Sequence, residues 1–98
     1  MITRIVKMEF RPEEVENFKR LFDSKKSKIR SFKGCKHLEL WQDINMPETF
    51  MTYSFWESES HLNAYRDSVL FKEVWSQTKA KFAQRPQAWS VQVLHQLN

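Results

Sequence analysis

The sequence of 98 residues has very little cysteine and glycine, with one of each. A single thiol, Cys35, excludes an intrachain disulfide and a thiol-based zinc or iron–sulfur site, so we expect a reducing, cytoplasmic environment. A single glycine, Gly34, excludes the glycine-rich loops that bind nucleotide phosphates. The three histidines are scattered and form no i,i+4 pair, so no metal cofactor is expected.

Long apolar runs are absent as well. No segment is long enough to cross a membrane, and the alternating residues 1–10 do not resemble the apolar region of a signal peptide, so we expect no membrane association. Part of the net charge of +4 comes from a basic run between Lys25 and Lys36. This run follows the acidic start of a predicted helix and complements the helix dipole, so we expect no nucleic-acid partner.

Aromatic residues, in contrast, are abundant: eight Phe, four Trp and two Tyr. Such side chains bury large areas, so a single domain over residues 1–98 can form a hydrophobic core. They are most concentrated in the segment 49–56, TFMTYSFW. Aromatic residues occupy both odd and even positions of this segment, which predicts a strand covered on both faces.

The patterns along the chain predict the order β-α-β-β-α-β. The predicted strands are 2–10, 35–42, 49–56 and 88–95, and the predicted helices are 13–30, a short 59–66 and 69–82. Turn residues 43–48 join the two middle strands as an antiparallel hairpin. The order is that of an α+β, ferredoxin-like sandwich with one antiparallel sheet and both main helices on one face.

The sheet face opposite the helices is predicted to be partly apolar. Ile5 and Trp41 fall on this face by the two-residue alternation of strands, and His37 and Glu39 share it. An apolar face needs a cover, and so short a chain has no further element to supply one. We therefore expect a homodimer formed through the sheet faces.

Several segments resemble one known family. FKGC before the second strand, FWES at the end of the third and AYRDSVLFKEVW in the helical region resemble antibiotic biosynthesis monooxygenase domains of the dimeric α+β barrel superfamily. The resemblance covers essentially the whole chain. Its most specific parts are Gly34-Cys35, the segment 56–58 and the segment 66–68 with Phe71. It implies homodimers whose sheets build a shared barrel, with a pocket between sheet and helices in each subunit.

The resemblance also implies a choice of activities. Some members oxidise polycyclic phenols or quinols with molecular oxygen, without metal or flavin, and use an Asn and a Trp four residues apart on the third strand. This sequence has Thr52 and Trp56 there. Others degrade heme and place a Trp and, ten residues later, an iron-ligating His where this sequence has Tyr65 and Trp75. Indole cannot replace imidazole as an iron ligand, so heme degradation is not implied.

Oxygenation without a cofactor is therefore the leading hypothesis for function. It requires a dry aromatic pocket for a phenol- or quinol-type molecule, a base, and a donor that stabilises negative charge. The candidate catalytic residues are Trp56 through its indole N–H, Tyr65 as donor or acceptor, and His37 as base, with His61 as an alternative base. The candidate substrate-binding residues are Thr52, Tyr53, Phe71 and Trp75.

Each candidate also has a purely structural interpretation. Trp56 and Trp75 suit core packing, and Tyr65 suits a helix end with its hydroxyl in water. His37 suits a hydrogen bond in the subunit interface, and His61 is expected to be exposed. Thr52 and Trp75, which depart from the residues that the resemblance implies, favour a non-catalytic alternative, a dimer that binds a small apolar molecule or acts as a scaffold. The sequence leaves enzyme and binding module open.

Overall fold

A computed structural model describes every residue from Met1 to Asn98. The strands are β1 (Ile2–Glu9), β2 (Cys35–Gln42), β3 (Thr49–Trp56) and β4 (Gln87–Val91). The helices are α1 (Val15–Arg30), α2 (Glu59–Arg66) and α3 (Val69–Lys79), and one 3₁₀ turn, Pro12–Glu14, precedes α1. The predicted ferredoxin-like α+β fold is confirmed. None of the helices combines the length and the apolar character that a bilayer crossing requires.

The four strands form one antiparallel sheet in the order β2-β3-β1-β4. β3 pairs with β1 from Thr49 to Trp56 and with β2 on its other side, as the hairpin prediction required. β3 is therefore an inner strand, and every residue along it has neighbours in two other strands.

Local sequence signals explain where the helices begin. Pro12 and the acidic Glu13 and Glu14 form the turn that leads into α1, as suits the positive end of a helix. The hydroxyl of Ser58 accepts a hydrogen bond from the His61 backbone N–H at the start of α2. Ser68 accepts in the same way from Phe71 at the start of α3. Each such cap contributes about 1 kcal/mol to helix stability.

The predicted C-terminal ends of three elements are wrong. β4 ends at Val91 rather than at residue 95, because Val91 already pairs with Thr3 near the start of β1. Little of β1 remains beyond that point to accept further pairs. β1 and α3 also end before Phe10 and Phe82, which pair with each other as an isolated bridge.

The sheet has an inner face, which packs against the helices, and an outer face without a layer over it. The main core cluster lies on the inner side and contains Met8, Phe10, Phe18 and Phe50. A second cluster contains Cys35, Trp56 and Leu62. Within one chain, β3 is fully buried mainly on its inner side, at Phe50, Ser54 and Trp56, whereas Met51, Tyr53 and Phe55 on the outer side are only half-buried. The predicted burial of both faces is thus incomplete in a single chain.

Gly34 connects α1 to β2 in a conformation that only glycine adopts easily. Its φ is +91°, and its carbonyl accepts a hydrogen bond of 2.8 Å from the Glu57 N–H. A Cβ atom at this position would overlap with the side chain of His61 in α2. The glycine thus permits both the turn and the close approach of α2.

Substituting Gly34 by Ala should lower the free energy of unfolding by about 2 kcal/mol or more, because it combines backbone strain with the overlap on His61. The measurement is urea denaturation of Gly34→Ala, His61→Ala and the double variant. We expect the double variant to lose less stability than the sum of the two single variants, since removing the imidazole relieves the overlap. Strictly additive losses would contradict the proposed contact.

Candidate active site

A cavity of about 320 Å³ lies between the inner face of the sheet and the helices. Its volume is at the lower end of the range typical of small-molecule sites. Residues from all four strands and all three helices line it, and most of them are apolar. No acidic residue and no histidine is among them.

Aromatic rings in mutual contact form one wall of the cavity. The rings of Trp56 and Tyr65 stack with centroids 4.7 Å apart. Tyr65 contacts Phe71 edge-on at 5.2 Å, and Phe71 stacks on Trp75 at 5.7 Å. All four residues line the cavity. The result is a rigid surface suited to a planar aromatic ligand.

Trp56 belongs to the wall but does not offer its N–H to a ligand. The side chain is almost fully buried, and Nε1 donates a hydrogen bond of 3.0 Å to Oγ of Ser54, two residues earlier on the same face of β3. This N–H was predicted to donate a hydrogen bond to the substrate. The structure instead pairs it within the protein, so the contribution of Trp56 to the cavity is its ring surface.

Tyr65 is the only tyrosine that lines the cavity. Burial, reinforced by the neighbouring Cys35, raises the pKa of its hydroxyl well above the ordinary value of a tyrosine. The hydroxyl therefore keeps its proton throughout the range in which the protein is normally handled. Of the two roles predicted for it, donor and acceptor of a proton, this environment favours a hydrogen-bond donor.

Two arginines are the only charged residues in the cavity lining, Arg4 from β1 and Arg66 from the end of α2. Arg4 donates a hydrogen bond of 3.0 Å to Oγ of Ser90, and Arg66 donates one of 2.7 Å to Oδ1 of Asn63. Neither takes part in a salt bridge. Desolvation, and then the charge of Arg66, lower the pKa of Arg4 from its ordinary value.

Neither arginine was among the predicted site residues, although the sequence pattern of β1 marks Arg4 as unusual. It shares the helix-facing side of β1 with Val6 and Met8, where an unpaired charge is unexpected.

Five of the seven predicted site residues come together around the cavity: Thr52, Trp56, Tyr65, Phe71 and Trp75. The other two, His37 and Tyr53, lie on the outer face, where Tyr53 stacks on Trp41 at 4.7 Å. Strand alternation makes this unavoidable, since Thr52 and Tyr53 are neighbours on β3 and must face opposite ways. The placement of Tyr53 in the same pocket as Thr52 is therefore corrected.

His37 instead belongs to a polar group on the outer face. Its Nε2 contacts Oε2 of Glu39, and Nε1 of Trp41 donates a hydrogen bond of 2.7 Å to Oε1 of the same carboxylate. The hydrogen bond from His37, and then that from Trp41, lower the pKa of the Glu39 carboxyl. The sheet separates His37 from the cavity, so it does not reach a ligand bound there in the same subunit.

The remaining reactive side chains lie outside the cavity lining. His61 is half-buried rather than exposed as predicted, and its Nδ1 is 2.7 Å from Oγ of Ser58. Burial raises the pKa of the Cys35 thiol, which keeps it in its unreactive, protonated form. No three His, Cys, Asp or Glu side chains converge in a way that could hold a metal ion.

Solved structures share this architecture at low sequence identity. A crystal structure of an antibiotic biosynthesis monooxygenase superposes with a TM-score of 0.91 at 18% identity, covering 97% of this chain and 100% of that chain. A conserved protein from Methanosarcina mazei Go1 gives 0.86 at 23% identity, covering 93% and 91%. The protein Rv0793 from Mycobacterium tuberculosis gives 0.88 at 15% identity, covering 99% and 98%. Identities this low establish the fold alone.

The sequence itself carries the family assignment. No curated protein matches it. The family model for antibiotic biosynthesis monooxygenase matches residues 1–76, which include β1, β2, β3 and the aromatic residues of the cavity wall. The chain therefore belongs to the antibiotic biosynthesis monooxygenase family.

Proposed function

We propose that the protein is a cofactor-independent monooxygenase that oxidises an aromatic, quinol-type molecule in the cavity between sheet and helices. The observation that carries the proposal is the continuous aromatic wall from Trp56 to Trp75, which includes the ring of Tyr65. Membership of a family named for monooxygenation supports the reaction type.

The proposed reaction converts an activated methylene group into a carbonyl group. A ring ketone such as anthrone loses a proton, and the resulting enolate transfers electrons to molecular oxygen. One oxygen atom then forms a carbonyl on the ring, and the other leaves as water, so anthrone and O₂ give anthraquinone and H₂O. The electron-rich substrate itself reduces the oxygen, so this chemistry needs no flavin or metal.

The cavity would assist this reaction in two ways. The stacked rings of Trp56 and Tyr65 hold a planar substrate and exclude water from the reactive anion. The Tyr65 hydroxyl donates a hydrogen bond to the oxygen on which negative charge develops. Thr52, where related quinone-forming enzymes have Asn, adds a shorter hydroxyl to the same face of β3.

No lining residue is a carboxylate or an imidazole, so the first proton has no base of that kind to receive it. We infer that the substrate loses this proton to bulk solvent and enters the cavity as its anion. The predicted role of His37 as base does not fit its position on the outer face.

A non-catalytic binding protein is the second candidate. The observation that favours it is the hydrogen bond from Trp56 to Ser54, which removes one donor from the cavity. In this alternative the same aromatic wall holds an apolar ligand without changing it.

We also propose that two copies of the chain associate through their outer faces. Trp41, Trp89 and Val91 remain 39%, 44% and 43% exposed there, a large apolar surface for a soluble chain of this size. Half-buried Tyr53 and Phe55 extend the same patch along β3. A second sheet laid over this face would bury all five.

Oxygen consumption with anthrone tests the enzymatic proposal. The protein should accelerate uptake above the rate in buffer, and Tyr65→Phe should lower kcat by about 10²- to 10³-fold, as expected for loss of an oxyanion donor. Trp56→Phe, which keeps an aromatic ring, should cost about tenfold or less.

Tyr53→Phe is the matched control, because it removes the other tyrosine hydroxyl of the chain from the opposite face of the sheet. It should leave the rate unchanged. Tight ligand binding without oxygen uptake would instead support the binding protein.

The dependence of the rate on pH tests the absence of a protein base. We expect kcat/KM to rise with pH through the pKa of the substrate and then to level off. At pH values below 10, kcat/KM should not decrease through loss of the Tyr65 proton, because burial raises the pKa of that hydroxyl above its ordinary value of about 10. If kcat/KM instead rises with a midpoint near pH 6.5, and this midpoint is the same for substrates of different pKa, the base is a histidine. That result would contradict this mechanism.

Light scattering at micromolar concentration tests the dimer. The wild-type protein should have twice the mass of one chain, and Trp89→Lys should be monomeric, because it places a charge in an apolar contact. Val69→Lys, at a residue that is 80% exposed on α3, is the control and should remain dimeric. A monomeric wild-type protein would overturn the proposal.

A further inference from the structure

The charges around the cavity are all of one sign. Arg4 and Arg66 contribute two guanidinium groups to a lining that contains no acidic residue. Neither group forms a salt bridge anywhere in the chain, although five other Lys or Arg side chains do. Two cations without a counter-ion beside an apolar cavity leave an uncompensated positive potential there.

The two arginines approach the cavity from different layers of the fold. Arg4 lies on β1, half-buried, and its guanidinium is held toward the edge strand β4 by the hydrogen bond to Ser90. Arg66 lies at the last residue of α2 and is largely exposed to solvent. The sheet and the helical layer thus each supply one cation where the cavity reaches the surface.

This arrangement has an electrostatic cost in the absence of a ligand. Desolvation of Arg4 and repulsion from Arg66 both disfavour its charged form. A bound anion would compensate both effects at once. The site is therefore more favourable for an anionic group than for a neutral one of the same shape.

We propose that the natural ligand of this cavity is an aromatic carboxylate, whose ring lies on the aromatic wall and whose carboxylate binds Arg4 and Arg66. A carboxylate has two oxygens that match the forked donors of guanidinium groups, whereas a phenolate has one. The rest of the lining is apolar and suits the ring. The inference rests on the proposed function only in taking this cavity as the ligand site.

The experiment compares two probes with the same ring, 2-naphthoate and the neutral 2-naphthalenemethanol, by titration calorimetry. The wild-type protein should bind the carboxylate at least about tenfold more tightly, the effect expected of charge-assisted hydrogen bonds. Raising the salt concentration should reduce this preference, because Arg66 is exposed to solvent.

Arg66→Gln and Arg4→Gln should each weaken binding of 2-naphthoate by about tenfold and leave binding of the neutral probe unchanged. Arg20→Gln, on the exposed side of α1, is the matched control and should bind both probes like the wild type. Circular dichroism and thermal melting establish that each variant is folded. Since Arg66 is at the surface, its variant decides the question even if Arg4→Gln is unstable.

Equal affinity of the wild type for both probes, or a preference that survives both substitutions, would overturn the inference. Failure to bind either probe would overturn it as well. These binding results can be distinguished from the results of the oxygen-consumption assay. Oxidation of a neutral quinol combined with equal binding of the probes rejects the carboxylate and retains the monooxygenase. A carboxylate preference without oxygen uptake retains the ligand class and rejects the oxygenation.

Discussion

Strand alternation along β3 divides the molecule into two chemically different halves. Phe50, Thr52, Ser54 and Trp56 face the helices, whereas Met51, Tyr53 and Phe55 face the outer side of the sheet. Because β3 pairs along its length with both β1 and β2, a slip by one residue would exchange the two sets. The cavity and the exposed aromatic patch therefore depend on one register.

The hydrogen bond between Trp56 and Ser54 links this register to the chemistry of the cavity. It satisfies the indole N–H in a site that water cannot easily reach, and it fixes the ring against Tyr65. As a result, the indole N–H is not available to a ligand. Tyr65, Arg4 and Arg66 then hydrogen-bond the ligand. Trp56 contributes the surface of its ring.

The sequence predicted β2 and β3 with the bounds that the structure has, because apolar periodicity and flanking turn residues mark them clearly. It overextended β4 because Val91, Val93 and His95 alternate like a strand. A strand also needs a partner, and only Ile2 of β1 lies beyond the pair of Thr3 with Val91. Most of the site was predictable from the aromatic residues that follow β3. Tyr53 lies outside the cavity because neighbouring positions of a strand face opposite ways, which its aromatic character alone does not indicate. The position of Arg66 at the cavity could not be predicted from the sequence, because only the packing of α2 in the tertiary fold brings it beside Arg4.

The two core clusters do not merge into one. Met8 and Phe18 of the first and Trp56 and Leu62 of the second all border the cavity, which therefore lies between them. Apolar side chains at such a void lose part of the dispersion energy that a filled interior provides. A ligand of suitable shape would complete the interior of the domain, so occupancy and resistance to unfolding would rise together. A bound ligand would thus serve as part of the hydrophobic core of the domain.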